Sequence, residues 1–362
     1  MGLTEQSLLE RNNATAMNTW TAFLKTFGGN VGEHNRVTFG DSAGNAEPDR
    51  EPLLIMDLSY LGLIRVEGDD ALSFLTAQFT NDLRGLQADR SQLSGYCNPQ
   101  GRLIALMRIF RVGDDFFLQT PRSLVDGLIK RLRMFVLRAK VVLSDVSEQW
   151  PRIGLAGSEV TSIGQAILDT ALPPPEGVTS AGAATLLHIP GPVPRYEVIA
   201  PSAQAQTLWS RFAARGRIAD DTVWQRVSLR GGIPEIEPAT SQQFVPQMVN
   251  LELIGGVNFK KGCYPGQEIV ARMQYLGKLK RRLYRARLAQ DHAPQPGDDL
   301  YQGGIDAEHK AGTVVNSVPS PQGGYELLAV LEIAASADIR YGSPKGKALE
   351  LVNLPYEVPS SA

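Results

Sequence analysis

The nine residues from Lys260 to Glu268, K-K-G-C-Y-P-G-Q-E, put a thiol, an amide, a carboxylate and two ammonium groups into one short segment. Gly262 and Gly266 bracket Cys263, with Pro265 between, a composition that predicts a tightly turned backbone presenting the thiol rather than burying it in a helix face. Lys260 and Lys261 lie directly upstream. Nearby positive charge favours thiolate over thiol, so nucleophilic attack, metal capture and redox chemistry are all open to Cys263. The blander alternative is a small buried apolar residue, which is what most free cysteines are. Arg272 follows Glu268 at i+4 spacing, suited to an ion pair if the segment continues as a helix.

The other chemistry-bearing residues are sparse. Only Cys97 joins Cys263, with no C-x-x-C spacing, and a self-held iron–sulfur cluster needs four thiolates. Any cluster contact would therefore be transient or shared with a partner. His34, His188, His292 and His309 are scattered and are read as structural, so no metal site is assigned. Lys278, Lys280, Arg281, Arg282, Arg285 and Arg287 form a basic run, expected as a solvated strand face with about half of it on each side. Lining a cleft or touching RNA phosphates stays open as an alternative.

These groups need a scaffold, and 362 residues fit two or three domains. The 43% hydrophobic and 20% charged composition is that of a soluble globular protein. A net charge of −2 gives no whole-protein attraction to nucleic acid or anionic membrane. Two cysteines exclude a disulfide scaffold and point to a reducing compartment, with the cytoplasm as the expected location. No signal sequence, transmembrane stretch or myristoylation pattern is legible, since Gln6 stands where Ser or Thr would be needed. No membrane partner is expected.

Residues 1–51 read as an extension: an amphipathic helix within 1–27 carrying Met17, Trp20, Phe23 and Leu24, then a polar linker over 28–51. A first α+β unit is expected over 52–145. It has a strand at Leu61–Val66, a helix capped by Asp69 or Asp70 with Leu72, Leu75 and Phe79 on one face, and strands at Leu93–Cys97, Arg102–Arg111 and Phe116–Gln119. A second helix follows Ser123, and a strand at Val141–Leu143 closes the unit. A second unit over 146–229 repeats the pattern with strands at Ile153–Leu155, Leu186–His188 and Arg195–Ile199 and helices at Val160–Leu168 and around Trp209, suggesting an internal duplication. Residues 230–277, neither clearly helical nor stranded, carry the cysteine motif and are expected to pack back on a cleft. Short alternating runs over 278–362 predict a small β-barrel.

The stretches Arg230-Gly-Gly-Ile-Pro234, Gln243-Phe-Val-Pro-Gln247, Asn250-Leu251 and Phe259-Lys-Lys-Gly-Cys-Tyr-Pro-Gly-Gln-Glu-Ile-Val-Ala-Arg272 resemble the YgfZ-type folate-binding proteins. That family belongs to the larger group of the glycine-cleavage T-protein (aminomethyltransferase) and includes a mitochondrial factor for late iron–sulfur cluster maturation. Thr80-Asn81-Asp82 and Cys97-Asn-Pro-Gln-Gly-Arg102 extend the resemblance over about Pro52 to Pro355. It implies an α+β fold: two related ferredoxin-like α+β units around a central cleft, plus a C-terminal small β-barrel.

The resemblance also implies tetrahydrofolate as cofactor. The functional thiol would be Cys263, with Lys261, Gln267 and Glu268 around it, and folate contacts would come from Arg230, Glu197, Tyr264, Asn81 and Arg272. The T-protein's catalytic aspartate lies in a G-G-x-x-D-D-like stretch that falls here on Gly101–Leu106, where Ala105 and Leu106 carry no carboxylate. Aminomethyl transfer is therefore not expected. The implied role is a folate-binding accessory protein, not itself an enzyme, that supports assembly or repair of iron–sulfur enzymes, including tRNA-modifying ones. Its partners would be iron–sulfur assembly proteins or client enzymes. A folate-dependent aminomethyl or one-carbon transferase, and an RNA-binding module, are the alternatives.

Overall fold

The computed structural model describes residues 20–33, 36–40, 43–304, 309–335 and 338–359, so Met17 and His34 lie outside the described residues. A helical segment over 20–25 leads into the hairpin β1 (Asn30–Val31) and β2 (Val37–Thr38). This part of the chain is packed and is not a linker. Trp20, Leu24 and Val37 are buried, the Trp20 indole donates to Asp57 Oδ1 at 2.9 Å, and Trp20 and Phe39 both pack on the Trp209 ring. Arg36 pairs with the buried Asp221 at 2.8 Å. Trp20 and Leu24 fall in the expected helix, whereas the anchors within 28–51, such as Val37, Phe39 and Ala46, are single residues without periodicity, so the polar composition hides them.

Next come β3 (Leu54–Asp57), β4 (Leu61–Glu67), α1 (Ala71–Thr76), β5 (Gln92–Cys97), β6 (Leu103–Val112), β7 (Asp115–Pro121), α2 (Val125–Arg133) and β8 (Val142–Asp145). An antiparallel sheet runs β5-β6-β7-β4-β8. Leu75, Leu128 and Leu132 of α1 and α2 pack into one core with Ile64, Ile109 and Leu118 of this sheet. Two local expectations change. Helix α1 stops at Thr76, so Phe79, though buried, lies beyond the helix, and Leu72 within it is exposed. Asp70 does not cap it by side chain; its carboxylate instead accepts from Lys140 N at 2.8 Å, while Asp69 pairs with Lys140 Nζ at 3.0 Å.

The second sheet is built from β9 (Arg152–Ala156), β10 (Val178–Ala181), β11 (Ala184–His188), β12 (Arg195–Ile199) and β13 (Arg217–Ala219), with α3 (Val160–Leu168) and α4 (Ser202–Ala213) between strands. Its order is β10-β11-β12-β9-β3-β13. Strand β3 therefore leaves its sequence neighbours and sits between β9 and β13, so the first unit's opening strand belongs to the second sheet, while β4 to β8 of the first sheet all lie within 61–145. All four residues of β3 are buried, as a central strand with both faces covered requires.

A helix that the sequence pattern did not predict, α5 (Asp221–Arg230), follows. The chain from 231 to 266 is irregular apart from a 3-10 turn at Pro246–Val249, and α6 (Gln267–Tyr275) ends it. The C-terminal strands are β14 (Arg281–Leu288), β15 (Asp299–Gln302), β16 (Lys310–Pro319), β17 (Tyr325–Glu332), β18 (Ile339–Tyr341) and β19 (Leu349–Val352). They form an antiparallel sheet in the order β18-β15-β16-β17-β14-β19, curled into a half-barrel, with a bridge from Arg340 to Ala348 linking its two edge strands. Half of the six-residue basic run is paired, Arg281 with Glu332 at 2.9 Å, Arg285 with Glu326 at 2.8 Å, and Arg282 with Glu252, while Lys278, Lys280 and Arg287 are exposed.

Candidate functional site

The two sheets face each other across a narrow slot of about 70 Å³, walled by Leu106, Arg108, Gln119, Arg195, Glu197 and Glu235. Leu93, Arg108 and Ile233 are shared with a wider mouth of about 490 Å³, and Pro121 and Glu235 with a chamber of about 640 Å³. Arg108 and Gln119 are cross-strand partners on β6 and β7, which puts both side chains on one face of the first sheet. Glu197 reaches the slot from β12 and accepts a short hydrogen bond from the Gln119 amide. Burial pushes the Glu197 carboxyl up to about 7, against the opposing pull of Arg152, the Gln119 hydrogen bond, Arg108 and Arg195.

Arg195 is a fixed wall. Its guanidinium donates to Ser228 Oγ at 2.8 Å, Pro190 O at 3.0 Å and Trp224 O at 3.2 Å, and lies 4.7 Å from the centre of the Trp224 ring. Arg108 donates to Ser91 Oγ at 3.0 Å and faces both slot and mouth. Leu106 lines the slot, whereas Ala105, one residue earlier on the strand, points into the opposite core. A carboxylate that sequence reasoning missed stands in the wall. Half-buried Glu235 accepts from the Tyr60 hydroxyl at 3.1 Å, and burial followed by the Glu237 charge pushes it up to about 7. Its signal was the acidic residue directly after Pro234.

The thiol segment packs elsewhere, on the β5–β6 turn. Gly266 has φ +79°, and a Cβ there would lie 2.4 Å from Asn98 O and 2.5 Å from Gly101 Cα. Gly266→Ala is expected to cost about 2–4 kcal/mol through backbone strain and overpacking, read as a lower melting temperature. Cys263 is exposed and lines none of the cavities above, while Cys97 is buried and pushed up to about 12 by burial. The structure does not expose the two thiols to one common site.

Lys261 differs from its expected role beside the thiol. Its side chain is buried, its ammonium donates to Thr76 O at 2.5 Å and to Phe79 O, and it sits 4.7 Å over the Tyr264 ring. Burial pushes it down to about 8. It pins the loop to the end of α1 and the turn after it, since the carbonyl of the last helical residue, Thr76, wants a donor, as does that of Phe79 beyond it. Lys261→Met should therefore lower stability by about 1–3 kcal/mol.

Gln267 closes the loop by donating to Lys261 O at 3.4 Å. Tyr264 is buried, with its hydroxyl raised by burial, and it fills the loop's underside instead of the slot. Glu268 and Arg272 are exposed on α6, and among the described residues no ion pair joins them. Asn81 braces the mouth, donating to Leu93 O at 3.0 Å and Gly255 O at 2.8 Å. Arg230, expected to hold a ligand carboxylate, is engaged by the protein's own: Glu47 at 2.7 Å and Glu326 at 2.5 Å. Of the expected folate contacts, only Glu197 lines the slot.

Residues 23–178 match the family of the GCVT N-terminal domain. The tRNA-modifying protein YgfZ of Yersinia pseudotuberculosis serotype O:1b (strain IP 31758) is 32% identical over 310 residues, covering 85% of this chain and 93% of that protein. The tRNA-modifying protein YgfZ of Edwardsiella ictaluri (strain 93-146) is 34% identical over 309 residues, covering 84% and 93%. Among solved structures, the glycine cleavage system aminomethyltransferase T from Bartonella henselae superposes with a TM-score of 0.76 over 92% of this chain and 96% of that one. At 15% identity that likeness is one of fold. Among the described residues, no helix is long and apolar enough to cross a membrane.

Proposed function

The chain belongs to the family of the YgfZ tRNA-modifying proteins, and on that premise we propose that it is a cytoplasmic, tetrahydrofolate-binding accessory protein whose Cys263 thiol supports assembly or repair of iron–sulfur enzymes, tRNA-modifying ones among them. The observation that carries the folate part is the buried Glu197 carboxyl in the slot between the two sheets. A pterin ring presents adjacent N–H donors on its aminopyrimidinone edge, and one carboxylate accepts both. Glu197 would hold that edge, Gln119 would orient Glu197, and Arg108 at the junction with the mouth would face the anionic glutamate tail. Bound tetrahydrofolate would supply a carrier for one-carbon units.

Cys263 acts outward. It is exposed while Cys97 is buried, so any cluster contact through it draws the remaining ligands from a partner. Two measurements test the proposal. Folinic acid should bind the purified protein at ordinary salt. Cells carrying Cys263→Ala in place of the wild-type gene should lose iron–sulfur enzyme activity while the purified variant keeps folinic acid binding. Full activity with Cys263→Ala would sink the thiol's role.

A second reading, a folate-dependent one-carbon transferase, is favoured by one observation: Glu235 restores a carboxylate to the slot wall that Leu106 does not supply. It would be abandoned if protein with tetrahydrofolate formed no methylene-folate from any aminomethyl donor tested.

A further inference from the structure

Among the described residues, seven of the ten exposed large apolar side chains gather in two places, four beside α2 and three on and just after α6, and α1 lies between the first of these and the Cys263 loop. Met134, Phe135, Leu137 and Val142 crowd the turn between α2 and β8, and Leu137 is 88% exposed. Leu137 also has φ +46°, a conformation that costs a bulky side chain energy and brings no burial in return here. Beside these residues lies a groove of about 460 Å³ lined by Met134, Val136, Leu137 and Val142.

The rim is positive. Lys130, Arg131, Arg133 and Arg138 fall in a stretch with no acidic residue between 127 and 144, and Lys130 and Arg138 are exposed with no acidic partner among the described residues, whereas Lys140 is paired with Asp69. From this turn the surface continues over α1. Lys140 holds the start of α1 through Asp69 and Asp70, and Lys261 holds its end through Thr76 O. The helix is roughly 9 Å long at 1.5 Å per residue and carries the exposed Leu72 along its outer side. Cys263 lies two residues beyond Lys261, flanked by exposed Lys260.

We infer that this face, from the Leu137 turn across α1 to the Cys263 loop, docks an acidic protein partner and delivers it to the thiol. The inference rests on the reading of Cys263 as a group that acts on a partner. Three features select a protein. The exposed groups are chiefly aliphatic and a phosphate backbone offers nothing to bury them against, the groove is concave and suited to receive a side chain, and the rim charge demands a carboxylate-rich counterpart. A bilayer would favour one protruding apolar tip, not a groove and a helix face.

The test places a photoreactive phenylalanine analogue at Leu72, at Leu137 and, as a control, at exposed Leu351 on β19, in the full chain expressed in its own cells. The same discrete protein adduct is expected from positions 72 and 137 and not from 351. Lys130→Glu combined with Arg138→Glu should reduce it about tenfold, and Lys130→Arg with Arg138→Lys should restore it. Melting temperature and folinic acid binding should stay unchanged in these surface variants. No adduct, adducts indifferent to the charge reversal, a nuclease-sensitive adduct, or flotation of the purified protein with phosphatidylglycerol vesicles would each overturn the inference. Activity retained by Cys263→Ala would instead remove the thiol's role and leave the docking face standing, so the two failures are distinguishable.

Discussion

Replacing Arg230 with alanine should lower the unfolding free energy by about 3–5 kcal/mol, the largest single-residue loss expected outside the hydrophobic cores. Arg230 donates to both oxygens of Glu47, at 2.7 and 2.9 Å, and to both of Glu326, at 2.5 to 3.1 Å. Glu326 is fully buried, and among the described residues Arg285 at 2.8 Å would be its one remaining ion pair. Removing Arg230 strands charge where water cannot compensate it, and unties α5 from β17 and from the 3-10 turn after Glu47. Arg230→Lys should recover only part of the loss, because one ammonium cannot serve two carboxylates bidentately.

The pH dependence has a definite sign. Burial alone would raise the Glu326 carboxyl, but hydrogen bonds from Arg230 and Arg285 hold it below the ordinary value. A lowered carboxyl contributes stability above its unfolded-state value and loses it as pH falls through the folded-state value. The gap between wild type and Arg230→Ala, followed by urea denaturation, should therefore be full at neutral pH and close in acid. A neutral-pH difference under about 1 kcal/mol, or folate affinity lost with stability intact, would return Arg230 to the role of ligand contact.

Arg230 shows where sequence reasoning stops. Its partners lie 183 and 96 positions away, and no local spacing announces them. The same limit hid the exchange of β3 into the second sheet, since strand pairing is a non-local choice and Leu54–Asp57 reads the same in either sheet. Local signals carried further. Alternation and the Asn98–Gly101 turn announced β5 and β6, and the glycines and proline around Cys263 announced an exposed thiol, as the structure has it. Lys261 was legible as charge but not as a buried pin, because its direction depends on where α1 ends. Glu197 was legible only through resemblance, and its burial between sheets needed both of them in place.

Glu197→Gln should weaken folinic acid binding by about 10²–10³-fold, the cost of about 3–4 kcal/mol when a carboxylate accepting two N–H groups becomes an amide with one acceptor and a conflicting donor. The same substitution should leave the ligand-free protein at least as stable at alkaline pH. A carboxyl raised by burial to about 7 contributes stability only while protonated, below the ordinary carboxylate value, and loses it as pH rises toward 7. Glutamine avoids that loss. Wild-type affinity should accordingly fall as pH drops below about 7, approaching tenfold per pH unit, because the proton competes with the pterin for the carboxylate, whereas Glu197→Gln should show a flat profile. Calorimetric titrations from about pH 5.5 to 8.5, paired with melting curves, separate the possibilities. A purely structural Glu197 would lose stability and affinity together, while a ligand-holding one loses affinity alone. The second pattern is the one expected of a carboxylate kept in a slot at a cost to the empty protein.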